Sequence, residues 1–281
     1  MYTIKETIKQ GTEMLKNTQD KPILMSRLIL QFVLKKEKEY LILHDEELIT
    51  VEDYNKFIEY INKLNKGIPI QYITNEQEFM KLKFYVDENV LIPQPDTEIL
   101  VENVLNLIDD KKVELLDLCT GSGAIAVSIA KYSKNAKVIG TDVSKEALKI
   151  ARLNRDNNNA QVEFILSDMF ENLKNKKFDF IVSNPPYIKT AEIENLSDEV
   201  KNEPHLALDG GQDGLDFYRI IIEEGYKYLN KNGYICLEIG YDQKNEVLSL
   251  INKSGKYTDV KCYKDLGGND RVIIFQKLPT S

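Results

Sequence analysis

Cysteine is scarce in this chain, and its three copies, Cys119, Cys236 and Cys262, are odd in number and lack the paired spacing of a metal site. That pattern makes a reducing compartment the default and gives no reason to expect a bound metal. Histidine is scarcer still. His44 and His205 are the only two, and both read as surface or supporting residues before proton acceptors. No apolar run approaches the length needed to span a bilayer, and polar residues interrupt the N-terminus from Lys5 onward, so no secretion signal or membrane anchor is visible. A surplus of basic charge is also missing: Lys plus Arg number 37 against 45 for Asp plus Glu, a net charge of −8. This balance disfavours a large electropositive footprint for nucleic acid. The expectation that remains is a soluble cytoplasmic enzyme, monomeric by default, whose 281 residues can bury a sizeable core.

The most informative stretch is Asn184-Pro185-Pro186-Tyr187, which follows an apolar run at residues 178–183 and so sits where a buried strand opens into a site. The Asn184 side-chain oxygen and the Pro185 carbonyl can accept both hydrogens of a planar –NH₂ group. Pro185 and Pro186 stiffen the turn, and Tyr187 offers an aromatic wall for a flat substrate or a sulfonium cation. About sixty residues earlier, residues 113–118 read as a strand, Cys119-Thr120-Gly121-Ser122-Gly123 as a tight loop, and 124–130 as the start of a helix. The glycines let backbone approach a ligand, and the helix N-terminus offers free N–H groups to a carboxylate or phosphate.

Two further strands end in acids. Residues 137–142 bring Asp142 to where a carboxylate accepts hydrogen bonds from ribose hydroxyls, and residues 162–168 bring Asp168, with Met169 beside it, toward an adenine amino group. Any one of these features is also explained as a turn or a helix cap. All three together, at the C-terminal ends of successive strands, match the place where open α/β sheets bind ligands.

The first seventy or so residues have a different rhythm. Leu24, Met25, Leu28, Ile29, Phe32 and Val33 form a stripe at helical spacing, as do Tyr54, Phe57, Ile58, Ile61 and Leu64, and both read as core stripes of a small all-helical domain ending near Gly67 and Pro69. Residues 78–86 read as a hairpin or extended connector, followed by a helix through Leu107 capped by Thr97 or Asp96. Strand and helix then alternate through Ile239, which argues for right-handed parallel connections. Residues 257–263 and 271–276 face each other across a Gly267-Gly268-Asn269-Asp270 turn and are expected to pair antiparallel at one side of the sheet. The expected division is a helical domain over 1–75, a hairpin linker over 76–95, and an α/β domain over 96–281.

These motifs resemble the class I, S-adenosylmethionine-dependent methyltransferases. A closer likeness lies in Leu91-Ile92-Pro93-Gln94-Pro95-Asp96-Thr97-Glu98, in the loop after Asp117, in Ser183-Asn184-Pro185-Pro186-Tyr187-Ile188, in residues 203–215, in Leu237-Glu238-Ile239-Gly240, and in residues 265–271. Together they are similar to the release-factor glutamine methyltransferases, the HemK/PrmC family, over residues 67–274. The family usually carries glycine where Cys119 stands and arginine where Gln94 stands. The resemblance implies a Rossmann-like, mostly parallel sheet with an antiparallel C-terminal strand, preceded by a small helical domain that helps hold the protein substrate. It implies S-adenosyl-L-methionine bound by Cys119, Thr120, Gly121, Ser122, Gly123, Asp142, Asp168, Met169 and Asn184. The methyl group would pass to the side-chain nitrogen (N5) of the glutamine in the Gly-Gly-Gln loop of peptide-chain release factors, supporting translation termination. Asn184, Pro185 and Tyr187 would carry the chemistry, and Pro186 would join them in binding substrate.

Two other readings compete. The same tetrapeptide grips an extruded adenine or cytosine equally well, and a non-catalytic scaffold would use the fold for interaction alone. Charge weighs against the first, because the residues near the tetrapeptide are mainly Glu192, Glu194, Asp198, Glu199 and Glu203, the last expected in a loop salt bridge. An intact glycine loop and Asn184 weigh against the second.

Overall fold

The computed structural model describes residues 2–279. In chain order the elements are α1 (Ile4–Leu15), α2 (Pro22–Leu34), α3 (Lys38–Leu43), α4 (Val51–Asn65), α5 (Ile70–Thr74), β1 (Gln77–Phe79), β2 (Leu82–Phe84), α6 (Glu98–Ile108), β3 (Val113–Leu118), α7 (Ala124–Tyr132), β4 (Ala136–Asp142), α8 (Lys145–Asn157), β5 (Val162–Leu166) and β6 (Phe178–Ser183). After these come α9 (Asp198–Lys201), α10 (His205–Leu208), α11 (Asp216–Tyr228), β7 (Leu229–Glu238), α12 (Lys244–Ser254), β8 (Tyr257–Lys264) and β9 (Asp270–Lys277). They form two compact units, one built from the chain up to Glu76 with Leu196–Asn202, the other from Gln77–Asn195 and the chain from Glu203 onward. Among the described residues no helix is long and apolar enough to cross a membrane.

The first unit is all helical. Thr3 and Glu6 close a capping box at α1, each side chain accepting from the other's backbone N–H, and Thr50 caps α4 through the Asp53 N–H at 3.0 Å. Phe57, Ile61 and Leu64 of α4 are buried, as their spacing predicts. In α2 the expected stripe is turned: Ser26, Ile29, Leu30 and Val33 face the core, while Leu24, Leu28 and Phe32 lie at the surface. The cause is that α2 is apolar nearly all round, so periodicity fixes its helical state but not its rotation. The helical unit also runs past Pro69 into α5. Its less expected member is the short α9 segment, tied in by Asn202 Nδ2 donating to the Gly67 carbonyl at 3.0 Å and by Gln19 donating to Glu199 at 3.0 Å.

The second unit holds a small β1–β2 hairpin and a seven-stranded sheet of order β5-β4-β3-β6-β7-β9-β8, with β5 through β7 parallel and β9 antiparallel to both β7 and β8. Alternation in β3 shows why helices cover both faces. Leu115 packs with Val104, Val127 and Leu148 of α6, α7 and α8, whereas Leu116 packs with the cluster that includes Tyr218, Ile221, Val247 and Ile251 of α11 and α12. From β3 the chain winds outward through β4 and β5, then returns to the other side of β3 as β6 and β7. The crevice beyond the ends of β3 and β6 is therefore the topological switch point, where such sheets bind ligands. β5 ends at Leu166, so Asp168 lies on the following loop instead of at the strand terminus. Thr97 makes no capping bond to α6, because its backbone is already helical, at the end of a short 3-10 turn over Pro95–Thr97 that runs into α6.

Candidate active site

An open-mouthed cavity lies at this switch point, where a small-molecule site is expected. Cys119, Gly121, Asp142, Asp168, Met169, Asn184 and Pro186 line it, joined by Pro204, Leu206 and Ala207. Sequence reasoning thus brought seven of its site residues to one cavity, while Thr120, Ser122, Gly123, Pro185 and Tyr187 are not among the lining residues.

The loop after β3 explains that split. Cys119 and Gly121 turn through left-handed backbone, at φ 57° and 53°, and a Cβ built at Gly121 meets no atom within 4 Å, so the backbone there faces open space. Thr120, Ser122 and Gly123 are buried behind it. Gly123 starts α7 at φ 81°, with a Cβ position only 3.1 Å from that of Ala151, so a side chain is excluded by conformation and by packing. The loop is held from beneath by Asp117, whose Oδ2 accepts from Thr120 Oγ1 at 2.5 Å and from the Ala126 N–H at 3.2 Å. Burial, with the Asp142 charge adding to it, pushes the Asp117 carboxyl up to about 7.

Asp142 closes the other side of the loop. Its Oδ2 accepts from the Gly121 N–H and its Oδ1 from the Ser144 N–H, both at 2.9 Å, and burial raises its carboxyl despite these donors. Asp168 is exposed at the rim, and Met169, at φ 42°, brings its sulfur 4.0 Å from the Cys119 thiol. Burial drives that thiol far above its ordinary range, so it stays protonated.

Asn184 leaves β6 half-buried at the cavity wall, and its Nδ2 donates to Thr97 Oγ1 at 3.3 Å. The amide oxygen is the end left to accept from a ligand. Tyr187 departs from expectation. Its half-buried ring packs against the core beneath β6, and its hydroxyl lies 3.5 Å from Glu238 Oε1, so it braces the loop from inside and is not among the residues lining the cavity. The apolar bulk of the ring is satisfied there, and burial keeps its hydroxyl protonated.

Residues 203–215 fix the tetrapeptide from outside. Ile188 N–H donates to Leu208 O at 3.0 Å and Gly210 N–H to Ile188 O at 2.8 Å, while a Cβ at Gly210 would stand 2.7 Å from Tyr187 Cα. Gln243 Nε2 donates to the Tyr187 carbonyl at 2.9 Å and to the Gly214 carbonyl at 3.2 Å. Glu203 is buried and accepts from the Ile92 N–H at 2.8 Å. His205 is exposed, and its Nε2 lies 3.9 Å from Asp209.

Sequence reasoning missed Thr97, Asp117, Glu238 and Gln243. For Asp117 and Glu238 the signal was present: each is an acid set into or closing an apolar run near the C-terminal end of its strand. The donor set fits an adenosyl cofactor, with a glycine loop whose backbone faces open space, a carboxylate at Asp142 and a second at Asp168.

Comparison with known proteins agrees with this geometry. Residues 94–211 match the family described as "Methyltransferase small domain" and residues 6–74 the "PrmC N-terminal domain". A release factor glutamine methyltransferase of Clostridium acetobutylicum is 42% identical over 278 residues, covering 96% of this chain and 97% of its own. Its counterpart in Thermodesulfovibrio yellowstonii is 45% identical over 254 residues, covering 89% and 90%. Among solved structures, a methyltransferase from Pyrococcus furiosus shares the fold at TM-score 0.54 and 24% identity, over 70% of this chain and 89% of that one. Near-complete coverage at such identity, with both halves matched, establishes that the chain belongs to the release factor glutamine methyltransferase family.

Proposed function

We propose that this protein transfers a methyl group from S-adenosyl-L-methionine to the side-chain amide nitrogen of a release-factor glutamine. The observation that carries the reading is the Asn184 amide, anchored through its nitrogen and standing at the wall of the cavity that also holds the glycine loop and Asp142. When bound, the cofactor supplies an electrophilic sulfonium methyl.

The chain's own residues address the weakness of the nucleophile. A carboxamide nitrogen shares its lone pair with its carbonyl and attacks poorly. The Asn184 oxygen and the Pro185 carbonyl accept its two hydrogens, raise electron density on nitrogen as it pyramidalises, and bind most tightly as those N–H bonds become acidic. Each such bond to a group developing charge contributes about 1.5–3 kcal/mol. Gly121 and Asp142 position the donor, and Asp168 and Met169 bound its adenine side. No general base is needed at the nitrogen, because the methylated amide sheds its proton to water after transfer.

A nucleic-acid amine is the second reading. The exposed Glu192 and Glu194 that follow the tetrapeptide, and the net charge of −8, favour a protein substrate. The reading has the protein act as a monomer in the cytoplasm. To test it, the protein is incubated with labelled S-adenosylmethionine and a release factor, the same factor with its loop glutamine replaced, or bulk nucleic acid. Label on the intact factor alone is expected, and label on nucleic acid would overturn the proposal.

A further inference from the structure

Helix α8 turns Ala147, Ala151 and Asn154 toward the loop after β3. Ala147 lines the cavity, Ala151 packs against Gly123, and Asn154 is fully buried. Both ends of the Asn154 amide are in use. Its Nδ2 donates to the Ser122 carbonyl and to the Tyr85 carbonyl, each at 2.9 Å, and its Oδ1 accepts from the Tyr85 N–H at 2.6 Å. One buried side chain thus holds two separate stretches of main chain, the loop after β3 and the segment that follows the β1–β2 hairpin.

That segment forms a strap from Tyr85 to Ile92. Val86, Val90 and Ile92 are buried in the unit, while Asn89, Val90 and Leu91 line the cavity. The far end is pinned as well. The Ile92 N–H donates to the buried Glu203 at 2.8 Å, and the neighbouring Pro204, Leu206 and Ala207 line the cavity too.

We propose that Asn154 is a positioning residue that couples the loop after β3 to this strap, so that the cavity is held in one shape for the cofactor; this rests on the reading of the cavity as the cofactor site. A short carboxamide suits the task because it offers two donors and an acceptor without a charge. A carboxylate of the same shape would keep the bond from the Tyr85 N–H but set an oxygen against two carbonyls. An apolar side chain would leave three main-chain groups without their partner, and each unsatisfied buried group is costly. Because one amide binds both segments, neither shifts alone. Gly121, whose backbone faces open space, adjoins Ser122, so the strap's position is passed to the part of the loop that meets the cofactor. An asparagine that only finished the hairpin would bond Tyr85 and stop there. The bond to Ser122 is what gives this one a hold on the site.

The test pairs calorimetry of S-adenosylmethionine binding with a thermal melt for wild type, Asn154→Asp and Leu91→Ala. Amide exchange of wild type is also followed by NMR with and without S-adenosylmethionine. At a temperature where it is folded, Asn154→Asp is expected to bind the cofactor about tenfold or more weakly. Leu91→Ala keeps the Asn154 bonds and trims only the wall, and is expected to bind about threefold or more weakly with melting unchanged. In wild type the cofactor is expected to slow exchange of the Tyr85 N–H, which does not line the cavity and answers only through Asn154. A folded Asn154→Asp within about twofold of wild type overturns the coupling, as does Tyr85 exchange that ignores the cofactor. Should Asn154→Asp fail to fold, the Tyr85 exchange decides alone. Wild-type affinity in Leu91→Ala overturns the strap as a wall. Wild type that binds no S-adenosylmethionine overturns the reading of the cavity itself, whereas a binding wild type with an unresponsive Tyr85 overturns the coupling alone.

Discussion

At Cys119 backbone position outranks side-chain type. Its backbone is left-handed at φ 57°, a conformation that costs an L-residue about 1–2 kcal/mol and a glycine nothing. That is a physical reason for glycine to be usual there in proteins this sequence resembles. We expect Cys119→Gly to keep cofactor affinity and melting temperature, and Cys119→Val to lower both, since a β-branched residue resists positive φ; calorimetry and a thermal melt decide. Asp142→Ala removes both the proposed ligand acceptor and the partner of the Gly121 N–H, so cofactor affinity should fall by about 1–3 kcal/mol. Unchanged affinity in calorimetry would move the ribose contact elsewhere. At this scale the sequence made Asn184, Asp142 and the glycine loop legible, because each combines a special residue type with a strand end. It hid the orientation of Tyr187, since an aromatic ring beside a cavity is equally well placed facing it or packed beneath it.

At the scale of elements, strands were the easiest to read. β3, β4 and β6 are apolar runs bounded by turn residues, and their order placed the site at the β3–β6 switch point. Helix α2 was recognised as a helix but misread in rotation, because apolar residues surround it. The α9 segment was assigned to the sheet domain by chain position, yet its hydrogen bonds tie it to the helical unit, a pairing that separations of more than a hundred residues conceal. The segment around Gly210 makes its own prediction. A methyl at Gly210 would stand 2.7 Å from Tyr187 Cα, backbone against side chain with no flexible atom to give. Gly210→Ala should therefore displace the tetrapeptide and cut turnover by about tenfold or more while the cofactor, held by the loop after β3, still binds. Wild-type turnover from this variant would show that the tetrapeptide tolerates displacement.

For the whole molecule, buried acid sets the pH response. Glu238 has a carboxyl near 7 when folded against 4.5 as a free side chain. Between those values the folded chain binds more protons than the unfolded one, so this group's contribution to stability declines as pH rises from about 4.5 to 7. Glu238→Gln removes that slope, and urea titrations at pH 5 and pH 8 should show the variant gaining on wild type by up to about 3 kcal/mol. An equal pH dependence in both would mean Glu238 is not held in a raised state. The same buried layer supports the tetrapeptide, which links stability to the proposed chemistry, in which a rigid pair of oxygen acceptors makes a reluctant amide reactive. The most direct measurement is a crystal structure of the protein with an inert cofactor analogue and a glutamine-bearing release-factor peptide. The glutamine –NH₂ is expected to bond to Asn184 Oδ1 and the Pro185 carbonyl, with its nitrogen about 3–3.5 Å from the position of the transferred methyl and in line with the sulfur. A methyl position turned away from that oxygen pair, or walled off from any glutamine, would contradict it.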